Sequence, residues 1–283
     1  VPRDFVEFSS AVKGFAMPWK PTLTVVSQMT AASHMTVGLA QSILDFVYPP
    51  QCLFCERALP STWRARDRSC QFCEMCRSQF VPPAGNTCHR CGTPLGLYTV
   101  SEQGCPACLR ESFAFDEVIR LGLYRDELRR ACLMAKNSEG ALLGRALAGL
   151  LVEEHRSLFT PGRFDTIVPV PEHWLKRLGR PHYAAETIAR EIAHRLNLRM
   201  VTGILAKHRW TPKQARSSKT ERRHQQHDSF CTVSGLSLKG QTILLADDIL
   251  TTGATASEAA RVLKRAGASR VIVVVLAVSP PTA

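Results

Sequence analysis

The stretch Ile243-Leu-Leu-Ala-Asp-Asp-Ile-Leu-Thr-Thr-Gly-Ala-Thr255 decides the reading of this chain. Ile243 to Ala246 is an uninterrupted apolar run with the character of a buried parallel strand. Asp247 and Asp248 follow at its carboxyl end, where open α/β sheets bind their ligands, and two adjacent acids there suit ribose hydroxyls or a hydrated Mg²⁺. Thr251, Thr252, Gly253, Ala254 and Thr255 then supply small residues whose N–H groups and hydroxyls can close round a phosphate. A helix beginning near Ala256 would point its positive end at the same spot. The plainer alternative is an Asp-rich turn with a Thr N-cap, but capping uses one Asp or Thr and not the whole series. The segment is suited to hold a phosphorylated ribose.

Around this stretch the pattern alternates between strands and helices from Phe113 onward, which predicts a parallel sheet with helices on both faces. Glu117 to Tyr124, Asp165 to Val170 and Arg270 to Val278 read as strands. Asp126 to Cys132, Ala141 to His155, Ala184 to Leu196 and Ala256 to Ala266 read as helices, the last capped by Gly267. In the second of these, Leu142, Leu143, Ala146, Leu147, Leu150 and Leu151 recur at helical spacing and are expected in the core. The most apolar run, Val271 to Val278, is too short to span a membrane, so membrane insertion is not expected.

Nine of the eleven cysteines lie between Cys52 and Cys108, and eight of them form four Cys-x-x-Cys pairs. Each pair places two thiolates on one side of a tight knuckle, and two knuckles complete a closed tetrahedral site. Sequential pairing assigns one structural zinc to Cys52, Cys55, Cys73 and Cys76 and a second to Cys88, Cys91, Cys105 and Cys108, a double zinc ribbon. Cys70-Gln-Phe-Cys73 is also a Cys-x-x-Cys. Cys73/Cys76 is preferred because the chain after Cys76 turns away toward Pro82 and Pro83, as Cys91-Gly-Thr-Pro does. The competing chemistries are a redox dithiol, disulfides or iron–sulfur ligation. The apolar content of this region is small, so metal should supply much of its folding free energy.

The strand, paired acids and Thr-Thr-Gly-Ala-Thr are similar to the phosphoribosyl-pyrophosphate (PRPP) signature of type I phosphoribosyltransferases. That resemblance implies that Asp247 and Asp248 contact the ribose 2′ and 3′ hydroxyls and that Thr251 to Thr255 hold the 5′-phosphate. Together with a double zinc ribbon, the domain resembles the ComF family of competence-associated proteins over nearly everything after about Leu44. Asp165-Thr-Ile-Val-Pro-Val-Pro171 looks like that family's strand and pyrophosphate loop, followed by the basic turn Arg177-Leu-Gly-Arg180. Arg209-Trp-Thr-Pro-Lys-Gln214 and Glu221-Arg222 match its Arg-x-Thr-x-x-Gln and later Arg, and Lys136 stands where the family usually has a lysine. Pro181-His-Tyr-Ala184 departs from the usual Gly-Phe-Asn-Gln, and Gln225 replaces a frequent Asn.

The resemblance implies Mg²⁺·PRPP over the strand ends, with pyrophosphate near Val170, Pro171 and Arg180. Arg180 or Lys136 would serve the leaving group, beside Asp247 and Asp248 as the other candidate catalytic residues. For both cations the alternative is a solvated surface charge. The formal charge of +12 favours an anionic partner. Lys207, Arg209, Trp210, Lys213, Arg222 and Arg223 combine positive charge with an aromatic ring, as single-strand binding requires. A basic loop that orders over bound PRPP is the alternative reading of the same residues.

Three functions therefore stand open. The preferred one is a cytoplasmic, ComF-like PRPP-binding protein that handles single-stranded DNA in natural transformation, beside a helicase or another DNA-uptake protein. The others are an active transferase in nucleotide salvage or related metabolism, and a zinc-ribbon adaptor with a non-catalytic transferase fold. The expected organisation is a poorly ordered extension over residues 1–41, the ribbon over 42–112 and the phosphoribosyltransferase-like domain over 113–283.

Overall fold

A computed structural model describes residues 49–60, 71–82, 85, 87–96, 104–109, 111–172, 183–207, 230–232 and 237–279. From Pro50 onward the chain forms one compact unit. Two short helices belong to the cysteine-rich region, α1 (Glu74–Phe80) and α2 (Pro106–Leu109). The remainder runs β1 (Glu117–Leu123), α3 (Asp126–Ala135), α4 (Ala141–Glu154), β2 (Thr166–Pro169), α5 (Ala184–Leu196), β3 (Arg199–Met200), β4 (Leu205–Lys207), β5 (Phe230–Thr232), β6 (Thr242–Leu250), α6 (Ala254–Arg265) and β7 (Arg270–Val278). Among the described residues no helix is long and apolar enough to cross a membrane.

Five strands make a wholly parallel sheet in the order β1-β7-β6-β2-β3. The interior strand β7 is buried at every residue except Arg270, as a strand covered on both faces must be. Leu128, Leu147, Leu150, Ile188 and Ile192 of α3, α4 and α5 pack on one face with Ile167, Leu244 and Ile272. The other face carries Ala256, Ala259, Ala260 and Leu263 of α6, with Leu205 and Phe230 of the antiparallel β4–β5 pair. Leu142 departs from expectation: it is 50% exposed, because it lies in the first turn of α4 beside the rim of the apolar stripe. Helical spacing groups residues on a face without fixing how wide the covered part is.

The zinc-ribbon region is wrapped round β1, the sheet's edge strand. Its two leading knuckles share one geometry, offset by 36 residues. Glu56 N–H donates to the Cys52 carbonyl and Gly92 N–H to the Cys88 carbonyl, with both residues in the left-handed region and flanking bridges Gln51–Ala58 and Thr87–Pro94. The first knuckle and α1 lie on the α3 face, where fully buried Phe72 and Phe80 meet edge to face at 5.1 Å and Cys52, Cys73 and Cys76 join the same core as Ile119 and Leu121. Arg77 of α1 reaches Glu154 of α4 through Nε at 3.0 Å. The second knuckle lies against the opposite face, where the Arg120 guanidinium, 7% exposed, donates through Nε to the Gly92 carbonyl.

Edge strands leave a row of backbone groups unpaired, and here that row is occupied. Val118 N–H donates to the His89 carbonyl at 2.8 Å, and the Arg120 carbonyl accepts from His155 Nε2 at 2.7 Å. Burial lowers the His155 pKa, which favours the neutral ring with its proton on Nε2. α1 approaches so closely at Gly122 that a Cβ there would overlap the Phe80 carbonyl and lie 2.5 Å from Leu128 Cδ2. Gly122→Ala is therefore expected to push α1 off β1 and to cost about 3 kcal/mol of stability, the upper end of ordinary overpacking. Chemical denaturation of the zinc-loaded protein checks this, and a midpoint equal to wild type would contradict the close approach.

Candidate functional site

The site arises where the connections out of the sheet diverge. β2 leads through α5 on one face to β3, and β6 leads through α6 on the other face to β7, so a crevice opens beyond the carboxyl ends of β2 and β6. β2 pairs with β6 only as far as Ala246, where Val170 N–H donates to the Ala246 carbonyl at 2.8 Å. β7 continues alongside β6 to Val278, so β6 extends to Leu250. The acids expected just past the strand thus lie within it, in a stretch with a neighbour on one side only. The loop is correspondingly shorter: α6 starts at Ala254, and Ala254 and Thr255 form its first turn.

Asp248 N–H donates to Asp247 Oδ1 at 2.9 Å, and Ile249 N–H to Asp248 Oδ1 at 2.7 Å, so the carboxylates take up strand N–H groups locally. Asp248 Oδ2 meets Lys136 Nζ at 2.9 Å. Lys136 ends α3, where a cation also faces the negative end of a helix. Burial works against its charge, but Asp248, and behind it Tyr124 and Asp247, outweigh this and hold its pKa above the ordinary value. The surface-charge reading of Lys136 thus gives way to a specific partner within the site. Asp247 goes the other way: burial, then the neighbouring Asp248 charge, raise it to about 8. Two adjacent acids in one partly buried place thus leave Asp247 the harder of the two to ionise. Cys132, buried behind them, is pushed up to about 12 for the same reasons and is no nucleophile.

Gly253 forms the N-cap of α6 with φ +72, a conformation that glycine adopts without strain. Thr251 is exposed and Thr252 half-buried, and Ala254 N–H approaches Thr252 Oγ1 at 3.4 Å. The first turn of α6 carries no acidic residue, so nothing there repels an anion. Across the crevice, Val170 is buried and Pro171 half-buried at the end of β2. Arg180 lies outside the described residues, as do Arg209, Trp210, Lys213, Arg222 and Arg223. Lys207 ends β4, paired with Phe230, so the basic segment is rooted in a strand pair that packs on α6.

The eight predicted thiols gather as two groups, Cys52/Cys55/Cys73/Cys76 and Cys88/Cys91/Cys105/Cys108, each with all Sγ atoms within 4.8 Å of one another. The Sγ–Sγ separations of 3.6 Å (Cys55–Cys73), 3.7 Å (Cys88–Cys108), 3.6 Å (Cys91–Cys105) and 3.8 Å (Cys105–Cys108) fit a tetrahedron. With Zn–S near 2.3 Å its edge is about 3.8 Å. All eight cysteines are free thiols, which sets the disulfide alternative aside. Burial and neighbouring sulfurs push the Cys76 and Cys108 thiols far above their ordinary range. Cys70 lies outside the described residues, and Cys73 with Cys76 completes the first group.

Comparison with known proteins agrees with this architecture. Residues 141–282 match the family described as the phosphoribosyl transferase domain, and residues 43–109 match the double zinc ribbon domain. The chain is 24% identical over 188 residues to competence protein F of Haemophilus influenzae, covering 65% of this chain and 81% of that one. It is 26% identical over 207 residues to DNA utilization protein YhgH of Salmonella typhi, covering 70% and 86%. Competence protein ComFC of Bacillus subtilis is 26% identical over 234 residues, covering 76% and 89%. The chain belongs to the phosphoribosyl transferase domain family, in the ComF arrangement that sets a double zinc ribbon ahead of that domain. The two cysteine groups are its structural zinc sites.

Sequence reasoning missed His155, whose partner Arg120 lies 35 positions away, and Tyr124, which acts on Lys136. The Asp247 pKa has a measurable consequence. A carboxyl raised from its ordinary value of 3.8 to about 8 binds a proton in the folded state that the unfolded chain has released. Its contribution is complete below about pH 4, is lost progressively as pH rises to about 8, and is level above that. Asp247→Asn is expected to melt higher than wild type, by a margin that grows from pH 4 to pH 8. Thermal melts across that range test it, and a constant difference would be inconsistent with a neutral Asp247.

Proposed function

We propose that this protein binds Mg²⁺·PRPP in the crevice beyond β2 and β6 and acts in DNA uptake. The observation that carries the proposal is the Asp247–Asp248–Lys136 group beside the Gly253 loop, at the divergence point of the sheet. The ribose 2′ and 3′ hydroxyls meet Asp247 and Asp248. A neutral Asp247 donates a hydrogen bond that an ionised one could not, and Asp248, paired with Lys136, accepts one. The 5′-phosphate sits against Thr251, Thr252, Gly253, Ala254 and Thr255, held by N–H groups at the start of α6. Val170, Pro171 and Arg180 take the pyrophosphate side, where Mg²⁺ brought with the ligand would screen its charge. Lys136 acts through Asp248 and so shapes the ribose end, in place of the leaving-group role that the sequence alone suggested for it.

If a nucleophile is supplied, it attacks the anomeric carbon as the bond to pyrophosphate breaks. The site then contributes orientation and stabilisation of the departing charge. The DNA-uptake role rests on the relatives named competence protein F, ComFC and DNA utilization protein. Single-stranded DNA contact is assigned to the basic segment from Lys207 through Arg209, Trp210 and Lys213 to Arg222 and Arg223, with a competence helicase or another DNA-uptake protein as the protein partner and the cytoplasm as the compartment.

Calorimetric titration of Mg²⁺·PRPP into the zinc-loaded protein is expected to show binding that Asp248→Asn weakens. Equal affinity in the two proteins would remove the acids from the site, and no binding to wild type would end the PRPP reading. Pyrophosphate release that depends on an added acceptor would identify a working transferase. For DNA, replacing Arg222 and Arg223 together by Ala is expected to flatten the slope of log affinity against log salt by roughly 1.4, about 0.7 per lost phosphate contact. An unchanged slope moves the DNA path elsewhere.

A further inference from the structure

Phe113 touches both the second cysteine group and the proposed phosphate loop. An idealised Cβ at Gly253 would stand 2.7 Å from Phe113 Cε1, so the ring is pressed against the one position where the loop has no side chain. Gly162, Gly203 and Gly240 have similarly positive φ, yet nothing lies within 4 Å of a Cβ at any of them. Gly92, Gly104 and Gly267, also with positive φ, have neighbours at 3.1, 3.0 and 3.1 Å, so among the described positive-φ glycines the contact at Gly253 is the tightest. The ring also packs, with Leu95, on the cluster of Cys88, Cys91, Cys105 and Cys108.

The segment bearing Phe113 is fixed at each step from that cluster. Glu111 N–H donates to the Cys108 carbonyl at 3.1 Å and Phe113 N–H to the Glu111 carbonyl at 3.0 Å. The Phe113 carbonyl accepts from Arg90 Nη2 at 3.3 Å, and Arg90 lies inside the Cys88–Cys91 knuckle. Beyond it, Ala114 N–H donates to Ser257 Oγ in α6 at 3.0 Å, and the ring stacks on fully buried Phe115 at 4.7 Å and 15°. A loop of Thr, Thr and Gly has much conformational freedom to lose before its N–H groups converge on an anion. A rigid ring behind it removes part of that freedom in advance.

We propose that Phe113 is a positioning residue for the phosphate loop, and that the second zinc site acts on the loop through it. The proposal rests on the PRPP reading only for the identity of the ligand. The test uses the full zinc-loaded chain with Phe113→Ala, Phe113→Leu and Cys105→Ser, read by zinc content, by amide hydrogen exchange over residues 251–257 and by titration with Mg²⁺·PRPP. Phe113→Ala is expected to keep both zinc ions, to exchange faster in the loop, and to bind PRPP roughly ten- to a hundredfold more weakly, the scale that a misplaced binding group costs. Phe113→Leu, which keeps apolar bulk, should recover part of both effects, and Cys105→Ser should lose one zinc and loosen the same peptide. Unchanged loop exchange in Phe113→Ala and Phe113→Leu overturns the positioning role, and so does unchanged affinity in a wild type and variant that both bind. Unchanged loop exchange in Cys105→Ser overturns the link to zinc. If wild type fails to bind PRPP while the loop loosens as expected, the ligand is wrong and the positioning role stands.

Discussion

The constraint on which the rest of this structure depends is the sealing of β1. A parallel sheet must cover both faces and still end somewhere, and the strand at its end offers backbone groups that need partners. Here the partners come from outside the sheet, from the His89 carbonyl in a zinc knuckle and from His155 at the end of α4. The two zinc sites stand on opposite sides of that strand, one in the α3 core and the other beside Arg120. The ribbon is thus structurally continuous with the domain that follows it. Its small apolar content is no handicap, because Phe72 and Phe80 finish a core already built by α3 and β1.

From the opposite end of the order, β2 and β6 set the chemistry. β2 stops at Pro169 and β6 goes on to Leu250, so the acids project beside a missing neighbour. That geometry separates two chemically identical carboxyls. Lys136 pairs with Asp248, while burial and the neighbouring Asp248 charge raise Asp247. A raised acid beside a lysine-paired one differs in hydrogen-bonding capacity, which is what the proposed contact with vicinal hydroxyls uses.

The sequence made much of this legible because its strongest signals are local. Four Cys-x-x-Cys pairs define both metal groups, and the apolar run before Asp247 defines the central strand with its loop and helix. Boundaries drifted where a neighbour decides them: β6 runs past the acids because β7 lies alongside, which no local pattern in β6 records. Leu142 was placed in the core by its spacing, yet the first turn of α4 leaves it half in solvent. The pairing of Lys136 with Asp248 and the contact of Phe113 with Gly253 each join residues more than a hundred positions apart. Periodicity carries no information about such pairs, and a lysine at a helix end reads the same whether it meets water or a carboxylate.

The occupied edge of β1 also bears on how the protein behaves when metal is scarce. Zinc at Cys88 and Cys91 would anchor the knuckle that holds His89 over Val118, alongside the Arg120–Gly92 bond; were the knuckle to leave, the strand would present an open hydrogen-bonding rim flanked by Ile119 and Leu121. Such a rim is a template for adding strands from other chains. The ribbon thus covers an edge that would otherwise be open to strand addition.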